Sequence, residues 1–327
     1  MMKHTLLYIG MALAFFAMQP DAAQAKTKKP AKVEKQLVVL HTNDTHSCVM
    51  PINPNLADTA MANRGGFLRR VAMIQEERKA NPDLLLFDSG DFSQGSPYYS
   101  LFKGDVEVGL MNEMKYDAAT IGNHEFDFGI DNMVRIFKMA KFPIVCSNYD
   151  FTGTPLADIV KPYTIIYRKG VKIGVFGLGP ELKGLVTEAN YGSIKYEDPI
   201  AKANEMVNIL KKQEKCDVII CISHLGWDID GIDDTEMVSG TRDIDLVLGG
   251  HSHSFFQNIR IVVLMFNHLK VIINNFFSFL HGFPFQQIGH HGSRSCRNGT
   301  GHTVKTNILS LSVSNFGLYC NIIDAAV

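Results

Sequence analysis

Cysteine is scarce in this chain, and none of its six cysteines have the CxxC spacing of a zinc site. Six cysteines among 327 residues exclude the dense disulfide framework of a small stapled domain. Neither sign of charge is in excess, because 32 Lys and Arg residues are balanced by 33 Asp and Glu residues. This balance excludes the basic surface typical of nucleic-acid-binding proteins. The remaining composition, with 46% hydrophobic residues, is typical of an ordinary globular protein and permits an enzyme.

The first 25 residues have the pattern of a cleaved export signal. Lys3 precedes an apolar stretch from Leu6 to Met18, and Ala23-Gln24-Ala25 follows with the small residues that a signal peptidase accepts. The apolar stretch is too short to span a bilayer, so no stable membrane span is predicted. Residues 26–35 are rich in Lys, Pro and Ala and are predicted to form a solvated linker. The mature protein is therefore expected to be periplasmic or secreted.

From residue 36 onward, short apolar runs alternate with segments of helical periodicity. The predicted strands are 37–40, 84–87, 118–121, 143–146, 163–167, 171–176, 217–222 and 244–248. The predicted helices are 64–79, 106–114, 130–141 and 199–212. This alternation predicts an α/β fold with a sheet buried on both faces.

Polar residues gather directly after five of the predicted strands, where α/β folds bind their ligands. The five clusters are Asp44-Thr45-His46, Gly90-Asp91, Gly122-Asn123-His124-Glu125, Ser223-His224 and Gly249-Gly250-His251-Ser252-His253. Their carboxylates, amide and imidazoles suit divalent zinc, manganese or iron. Side chains two residues apart on an extended segment point the same way. Asp44 and His46, like His251 and His253, are therefore expected to bind a metal from one side.

Each cluster is weak by itself, because a single Asp after a strand more often caps a helix or a turn. The coincidence of five such strand ends favours a metal site. Several neighbouring residues are predicted to be structural instead. Asp88 and Ser89 are expected to hold a turn, Gly65-Gly66 to begin a helix, Asn148 to form a turn, Trp227 to lie in the core, and His41 to lie behind the ligands.

In their order along the chain, these motifs resemble those of the calcineurin-like metallophosphoesterases. The longer strings His41-Thr42-Asn43-Asp44 and Gly122-Asn123-His124-Glu125-Phe126-Asp127 look like the 5′-nucleotidase branch, which includes periplasmic UDP-sugar hydrolases. The resemblance covers residues 36–256. It implies one catalytic domain over that range, with an α/β sandwich of mixed β-sheets flanked by helices.

The resemblance also implies a role for each matching residue. The first divalent ion would be held by Asp44, His46, Asp91 and His253, and the second by Asp91, Asn123, His224 and His251. Two such ions (zinc, manganese, iron or cobalt), about 4 Å apart, would clamp the reacting oxygens and lower the pKa of a bridging water, which then attacks in line as hydroxide. Asn123 and His124 would contact the substrate, His124 would stabilise the phosphoryl oxygens or protonate the leaving group, and Asp127 would orient His124. The expected substrate is a phosphate ester of a nucleotide or nucleotide sugar.

The chain departs from the 5′-nucleotidase pattern in two ways. Members of that branch carry a second domain that stacks the nucleobase, and this chain ends before such a domain. Either a separate polypeptide supplies it, or base selectivity is low. The second departure is the composition of residues 257–327, which contain one acidic residue, Asp324, whereas residues 1–256 contain the other 32.

This change of composition predicts that residues 257–327 are an atypical segment, either frameshifted or poorly ordered. Its histidines match no metal-site spacing and are predicted to be incidental: His268, His281, His290, His291 and His302. Two other functions stay open for the chain as a whole. The same site could hydrolyse a 2′,3′-cyclic nucleotide or a sulfur ester, or the protein could bind metal without turnover. His124 argues against the second, because metal binding alone does not need it.

Overall fold

Two sheets pack face to face, and the strand side chains that point inward form a common core between them. The computed structural model describes residues 35–55, 57, 62–254, 260–265, 268–274, 307–314 and 317–323. The predicted signal peptide (1–25), and the predicted linker apart from Lys35, lie outside the described residues. Among the described residues, no helix has the length and apolarity needed to cross a membrane.

The described strands number thirteen within these ranges. They are β1 (Lys35–Thr42), β2 (Leu85–Asp88), β3 (Ala118–Ala119), β4 (Tyr149–Asp150), β5 (Tyr163–Arg168), β6 (Val171–Leu178), β7 (Lys195–Tyr196), β8 (Val218–Ser223), β9 (Leu246–Gly249), β10 (Arg260–Met265), β11 (His268–Asn274), β12 (Asn307–Ser314) and β13 (Gly317–Ile323). The α-helices are α1 (Phe67–Ala80), α2 (Pro97–Phe102), α3 (Asp105–Met114), α4 (Gly129–Met139), α5 (Glu188–Tyr191), α6 (Pro199–Asn208) and α7 (Asp234–Gly240). Short 3₁₀ turns span His124–Phe126 and Pro155–Asp158.

Two mixed sheets form the centre of the fold. The first has the strand order β13-β12-β1-β2-β3, and the second has the order β10-β11-β9-β8-β6-β5. Strands β1, β2 and β3 run parallel in the first sheet, as do β6, β8, β9 and β11 in the second. Because loops at the carboxyl ends of parallel strands share one edge, each sheet gathers its polar clusters at one end.

Three apolar layers result from the two-residue period of the strands. One buried cluster lies between the sheets. It contains Leu37 and Val39 of β1 together with Ile220 and Ile222 of β8. Their sequence neighbours Val38 and Leu40 belong to a second cluster with residues of α1, α3 and α4. A third cluster joins the outer face of the second sheet to α6 and α7. The predicted sandwich of mixed sheets flanked by helices is therefore confirmed.

The segment 143–146 is not a strand, and its prediction was wrong. Ile144 bridges Ala119, and Val145 bridges Lys161, each as an isolated pair. Ser147 pairs with a third segment, since its backbone amide donates to the carbonyl of Gly177 at 2.8 Å. The backbone thus exchanges hydrogen bonds with several segments in turn, and no continuous ladder forms.

Two other differences concern helices. The predicted helix 199–212 ends as an α-helix at Asn208 and continues as a wider π-helical turn over Ile209–Gln213. Helices α2, α5 and α7 were not predicted, although the sequence carries helix-start signals for α2 and α7. Ser96 caps α2 before Pro97, and Asp233 forms a capping box with Glu236 at the start of α7.

Four strands lie within the compositionally unusual segment 257–327. Strand β11 pairs in parallel with β9, and β12 pairs antiparallel with β1 over Lys35–His41. The edge of β9, whose loop carries His251 and His253, is therefore paired over Val247–Gly249. The tail histidines other than His268 lie outside the described residues. The proposed atypical origin of this segment stays a prediction.

Candidate metal centre

The loops that follow β1, β2, β3, β8 and β9 meet at one end of the sandwich. Contacts between the two sheets hold them together. The backbone amide of His251 donates to both carboxylate oxygens of Asp44, at 3.0 and 3.1 Å. The hydroxyl of Ser89 donates to the carbonyl of Leu248 at 2.7 Å. Residues 207 positions apart in the sequence thus share one hydrogen-bonded site.

One group of potential ligands consists of Asp44, His46 and His253, whose ligand atoms lie within 4.8 Å of one another. The Nε2 atom of His253 lies 3.4 Å from Oδ1 of Asp44 and 3.0 Å from Nε2 of His46. Asp44 is completely buried. A carboxylate and two imidazole nitrogens that face one another in this way could supply three of the four ligands of a tetrahedral metal ion, or three of the six of an octahedral one.

A second group consists of Asp91, His224 and His251, again within 4.8 Å of one another. The Nε2 atom of His224 lies 3.1 Å from Oδ2 of Asp91. The other nitrogen, Nδ1, donates to the carbonyl of Ser89 at 2.5 Å. This bond holds the tautomer that leaves the Nε2 lone pair directed into the site, as in many metal-ligating histidines.

One buried atom outside these two groups also supports cation binding. The Oδ1 atom of Asn123 is buried and has no hydrogen-bond partner among the described residues. Buried polar atoms are seldom left without a partner, because their desolvation is costly. This oxygen offers a lone pair, so a divalent cation would satisfy it. The residues present therefore fit a metal centre.

The electrostatics of the site favour ionised carboxylates. Burial alone raises the pKa of Asp44 and Asp91, but the surrounding histidines, His224 foremost for Asp91, hold each pKa below its usual value. Burial and, to a lesser extent, the neighbouring His224 lower the pKa of His251 to about 4. His251 is therefore neutral at pH 7, which is the state that binds a metal.

The backbone at five of the seven predicted ligands is left-handed, not extended. Positive φ angles occur at Asp44 (49°), His46 (41°), Asp91 (54°), His251 (72°) and His253 (51°). The prediction that both pairs, Asp44 with His46 and His251 with His253, project from extended backbone was therefore wrong. Asp44 and His46 do share a group, but His251 and His253 lie in different groups. Left-handed backbone is uncommon outside glycine and is often concentrated at functional sites.

His124 lies beside the first group on the 3₁₀ turn. Its Nδ1 is 3.1 Å and 3.2 Å from the two carboxylate oxygens of Asp127. Its ring centroid is 5.3 Å from that of His46. Burial lowers the pKa of His124, but the hydrogen bond to Asp127 and the charge of Asp91 outweigh this and raise the pKa to about 9. About one third of the side chain is exposed, which leaves it accessible to a substrate.

Glu125 is a site residue whose role the sequence reasoning missed. It is completely buried, and its carboxylate accepts backbone hydrogen bonds from Asp91, Ser93 and Gly122. Burial, together with the charge of Asp91, raises the pKa of Glu125 to about 7. The motif that contains Glu125 was visible in the sequence, but two of its three backbone partners, Asp91 and Ser93, lie on another loop and were not.

The residues predicted to be structural have structural contacts. The Nε2 atom of His41 lies 2.8 Å from the Ser89 hydroxyl, so His41 is behind His224, as expected. Asp88 accepts the amide of Gly90 at 3.0 Å. Asn148 exchanges two hydrogen bonds of 2.8 Å with the backbone of Gly179. Trp227 packs against the apolar cluster on the outer face of the second sheet.

A profile of the calcineurin-like phosphoesterases matches residues 37–255. The chain belongs to the calcineurin-like phosphoesterase family. Human 5′-nucleotidase is 32% identical to this phosphoesterase over 233 residues, which cover 69% of the chain and 39% of that protein. The NAD 5′-nucleotidase of Haemophilus influenzae is 32% identical over 255 residues, which cover 76% of the chain and 41% of that protein. The chain thus spans about two fifths of the length of these curated relatives.

Solved structures agree with the family assignment. The structure of Haemophilus influenzae NAD nucleotidase superposes with a TM-score of 0.65 at 25% identity, covering 89% of this phosphoesterase and 49% of that chain. A 5′-nucleotidase precursor from Thermus thermophilus superposes with a TM-score of 0.69 at 21% identity, covering 88% of this chain and 54% of that chain. The second likeness concerns the fold alone.

Close backbone approach at Gly122 gives a first test of this phosphoesterase site. A Cβ atom at Gly122 would lie 2.2 Å from Oδ1 of Asp91 and 2.7 Å from the Asp91 amide. We therefore expect Gly122→Ala to displace Asp91 and weaken metal binding by at least about tenfold, the lower end of the loss seen when the support of a ligand is removed. Isothermal titration with Mn²⁺ measures this.

Gly109→Ala is the matched control, since nothing lies within 4 Å of a Cβ placed there and neither Gly109 nor Gly122 has a positive φ. Equal Mn²⁺ affinity in both variants would contradict the importance of this close approach.

Proposed function

We propose that residues 36–256 form the catalytic domain of an exported two-metal phosphohydrolase, which cleaves phosphate esters of nucleotides or nucleotide sugars. The observation that carries this proposal is the presence of two adjacent ligand groups, Asp44–His46–His253 and Asp91–His224–His251, on loops of a phosphoesterase fold. An accessible histidine, His124, lies beside them.

In this proposal, the first metal is held by Asp44, His46, Asp91 and His253, and the second by Asp91, Asn123, His224 and His251. Two observations support Asp91 as the bridge. It belongs to the second group and also forms a ligand cluster with His46 and His124. Its carboxylate is buried and held in the ionised form by neighbouring histidines. Asn123 completes the second set with the buried oxygen that has no described hydrogen-bond partner.

When bound, two divalent metal ions supply Lewis-acid activation of water and neutralise the developing phosphoryl charge. The chain's own residues supply the remaining functions. Asp127 accepts a hydrogen bond from Nδ1 of His124 and so fixes the orientation of that ring. The Nε2 atom of His124 is then the atom that donates a proton to a phosphoryl oxygen or to the leaving group. Asn123, next to His124, contacts the same substrate.

The substrate class is proposed from the relatives. The similar proteins are named 5′-nucleotidase and NAD 5′-nucleotidase. A further relative, from Bacillus subtilis, is named a trifunctional nucleotide phosphoesterase and is 31% identical over 258 residues, covering 69% of this chain and 16% of that protein. We extend the proposal to a partner, namely a separate 5′-nucleotidase C-terminal domain that binds the base. Export to the periplasm or medium rests on the signal pattern of residues 1–25.

The direct test is an assay of residues 26–327 on AMP, UDP-glucose and bis(p-nitrophenyl) phosphate, with added Mn²⁺ or Zn²⁺ and with chelator. A 2′,3′-cyclic nucleotide and a sulfur ester are assayed beside them as the alternative substrates. We expect hydrolysis of AMP or UDP-glucose that chelator abolishes and metal restores, because the proposed nucleophile is activated by the metals. Turnover that exhaustive chelation leaves unchanged would contradict the proposal. Activity only on a 2′,3′-cyclic nucleotide or a sulfur ester would redirect it to another ester, and metal binding without any turnover would refute catalysis.

A further inference from the structure

Glu125 connects two loops of the proposed metal centre, those after β2 and β3, through hydrogen bonds to their backbones. Its Oε2 accepts the amide of Asp91 at 3.0 Å and the amide of Gly122 at 2.7 Å. Its Oε1 accepts the amide of Ser93 at 3.2 Å. All of these contacts are buried, so water is not available to replace them.

Each of the three amides belongs to a ligand, precedes a ligand or lies on a residue that hydrogen-bonds to a ligand. Asp91 is itself the proposed bridge, and Gly122 directly precedes Asn123. The carbonyl of Ser93 lies 3.3 Å from Nδ1 of His46 and can hold the tautomer whose Nε2 faces the centre. One carboxylate therefore reaches ligands of both proposed metals through the backbone.

The connection is reciprocal between two loops. While Glu125 accepts the amide of Asp91, the Oδ1 of Asp91 accepts the amide of His124 at 2.9 Å. The loop after β2 and the loop after β3 thus each hold the other with a carboxylate. This arrangement restrains Asp91 in its left-handed backbone conformation with φ of 54°, which a free loop would seldom adopt.

The charge of Glu125 is also unusual for a buried group. No lysine or arginine forms an ion pair with it among the residues that the structure describes. A buried carboxylate is costly unless it is hydrogen-bonded or near a cation. Three backbone donors and the cations of the centre would meet this requirement together.

We infer that Glu125 is a positioning residue of the metal centre, which sets the affinity for both metals by fixing the backbones of Asp91, Gly122 and Ser93. This inference rests on the metal centre of the proposed function. Glu125 contacts neither a metal nor the substrate in this assignment. Its effect passes through the ligands that it orients, as with other groups that hydrogen-bond behind metal ligands.

The test compares Glu125→Ala and Glu125→Gln with the matched control Glu113→Gln, an exposed glutamate on α3. Mn²⁺ stoichiometry and affinity are measured by equilibrium dialysis, and folded protein is measured by circular dichroism. We expect Glu125→Ala to weaken Mn²⁺ binding about 10- to 100-fold, the usual range for removing such support. Glu125→Gln should lose less, because its one amide oxygen can still accept from Asp91 and Gly122, whereas its NH₂ group faces the amide of Ser93.

Activity provides a second readout that a general structural role would not reproduce. Turnover of the glutamine variant should rise towards wild type as Mn²⁺ is increased, because the ligands themselves are intact. Wild-type Mn²⁺ affinity in the folded alanine variant would overturn the inference. If that variant does not fold, wild-type affinity in the folded fraction of Glu125→Gln would overturn it equally. Should the wild-type protein hydrolyse no phosphoester, the proposed function fails, yet the dialysis comparison still decides the role of Glu125.

Discussion

Asp91→Asn is expected to reduce phosphoester hydrolysis by more than about 10²-fold. The proposed bridge carries a negative charge that neutralises both cations, and an amide in its place removes that charge while it preserves the size of the side chain. Steady-state kinetics at saturating Mn²⁺, together with metal analysis of the purified variant, measure the loss.

Asp83→Asn provides the control for this prediction, because Asp83 is exposed and lies in the turn before β2. We expect it to keep wild-type rates and metal content. If Asp91→Asn kept two metals with wild-type affinity and a wild-type rate, Asp91 could not be the bridging carboxylate.

The second large effect separates catalysis from metal binding. His124→Ala is expected to keep both metals and to lose about 10²-fold or more in turnover, the usual effect of removing a positioned acid–base group or charge stabiliser. His251→Ala should instead lose metal affinity, because its ring belongs to the ligand group of Asp91 and His224. Inductively coupled plasma analysis and kinetics on the same preparations distinguish the two outcomes. Identical metal content and identical residual rates in both variants would show that the roles are wrongly assigned.

The sequence predicted which loops come together at the candidate site because its local signals agree with the tertiary structure. Strands β1, β2, β8 and β9 end within two residues of their predicted ends, and the polar clusters follow directly. Buried strands of this kind are uniformly apolar and short, so their ends are marked by the first polar residues. The hairpin of β5 and β6 around Lys169-Gly170 was predicted for the same reason.

The details that were not predicted depend on contacts between distant segments. The left-handed backbone at His251 accompanies an amide that donates to Asp44, which is 207 residues away. The partners of Glu125 and the isolated bridges of Ile144 and Val145 are likewise tertiary. Periodicity and residue type carry no information about such pairings, whereas they do report burial along one element.

The capping signals of α2 and α7 are a different case, since they were present in the sequence and were not used. Ser96-Pro97 and the Asp233–Glu236 pair are ordinary helix-start patterns. Both helices are short, with six and seven residues. A helix of this length has too few turns to show a clear apolar period, so the caps were the better evidence.

Anomalous X-ray diffraction from crystals grown with Mn²⁺ would show directly whether two divalent metals share Asp91. We expect two anomalous peaks, with the carboxylate of Asp91 coordinating both. One peak should lie among Asp44, His46 and His253, and the other among Asn123, His224 and His251. A single peak, or two peaks without a shared Asp91, would contradict the proposed bridge.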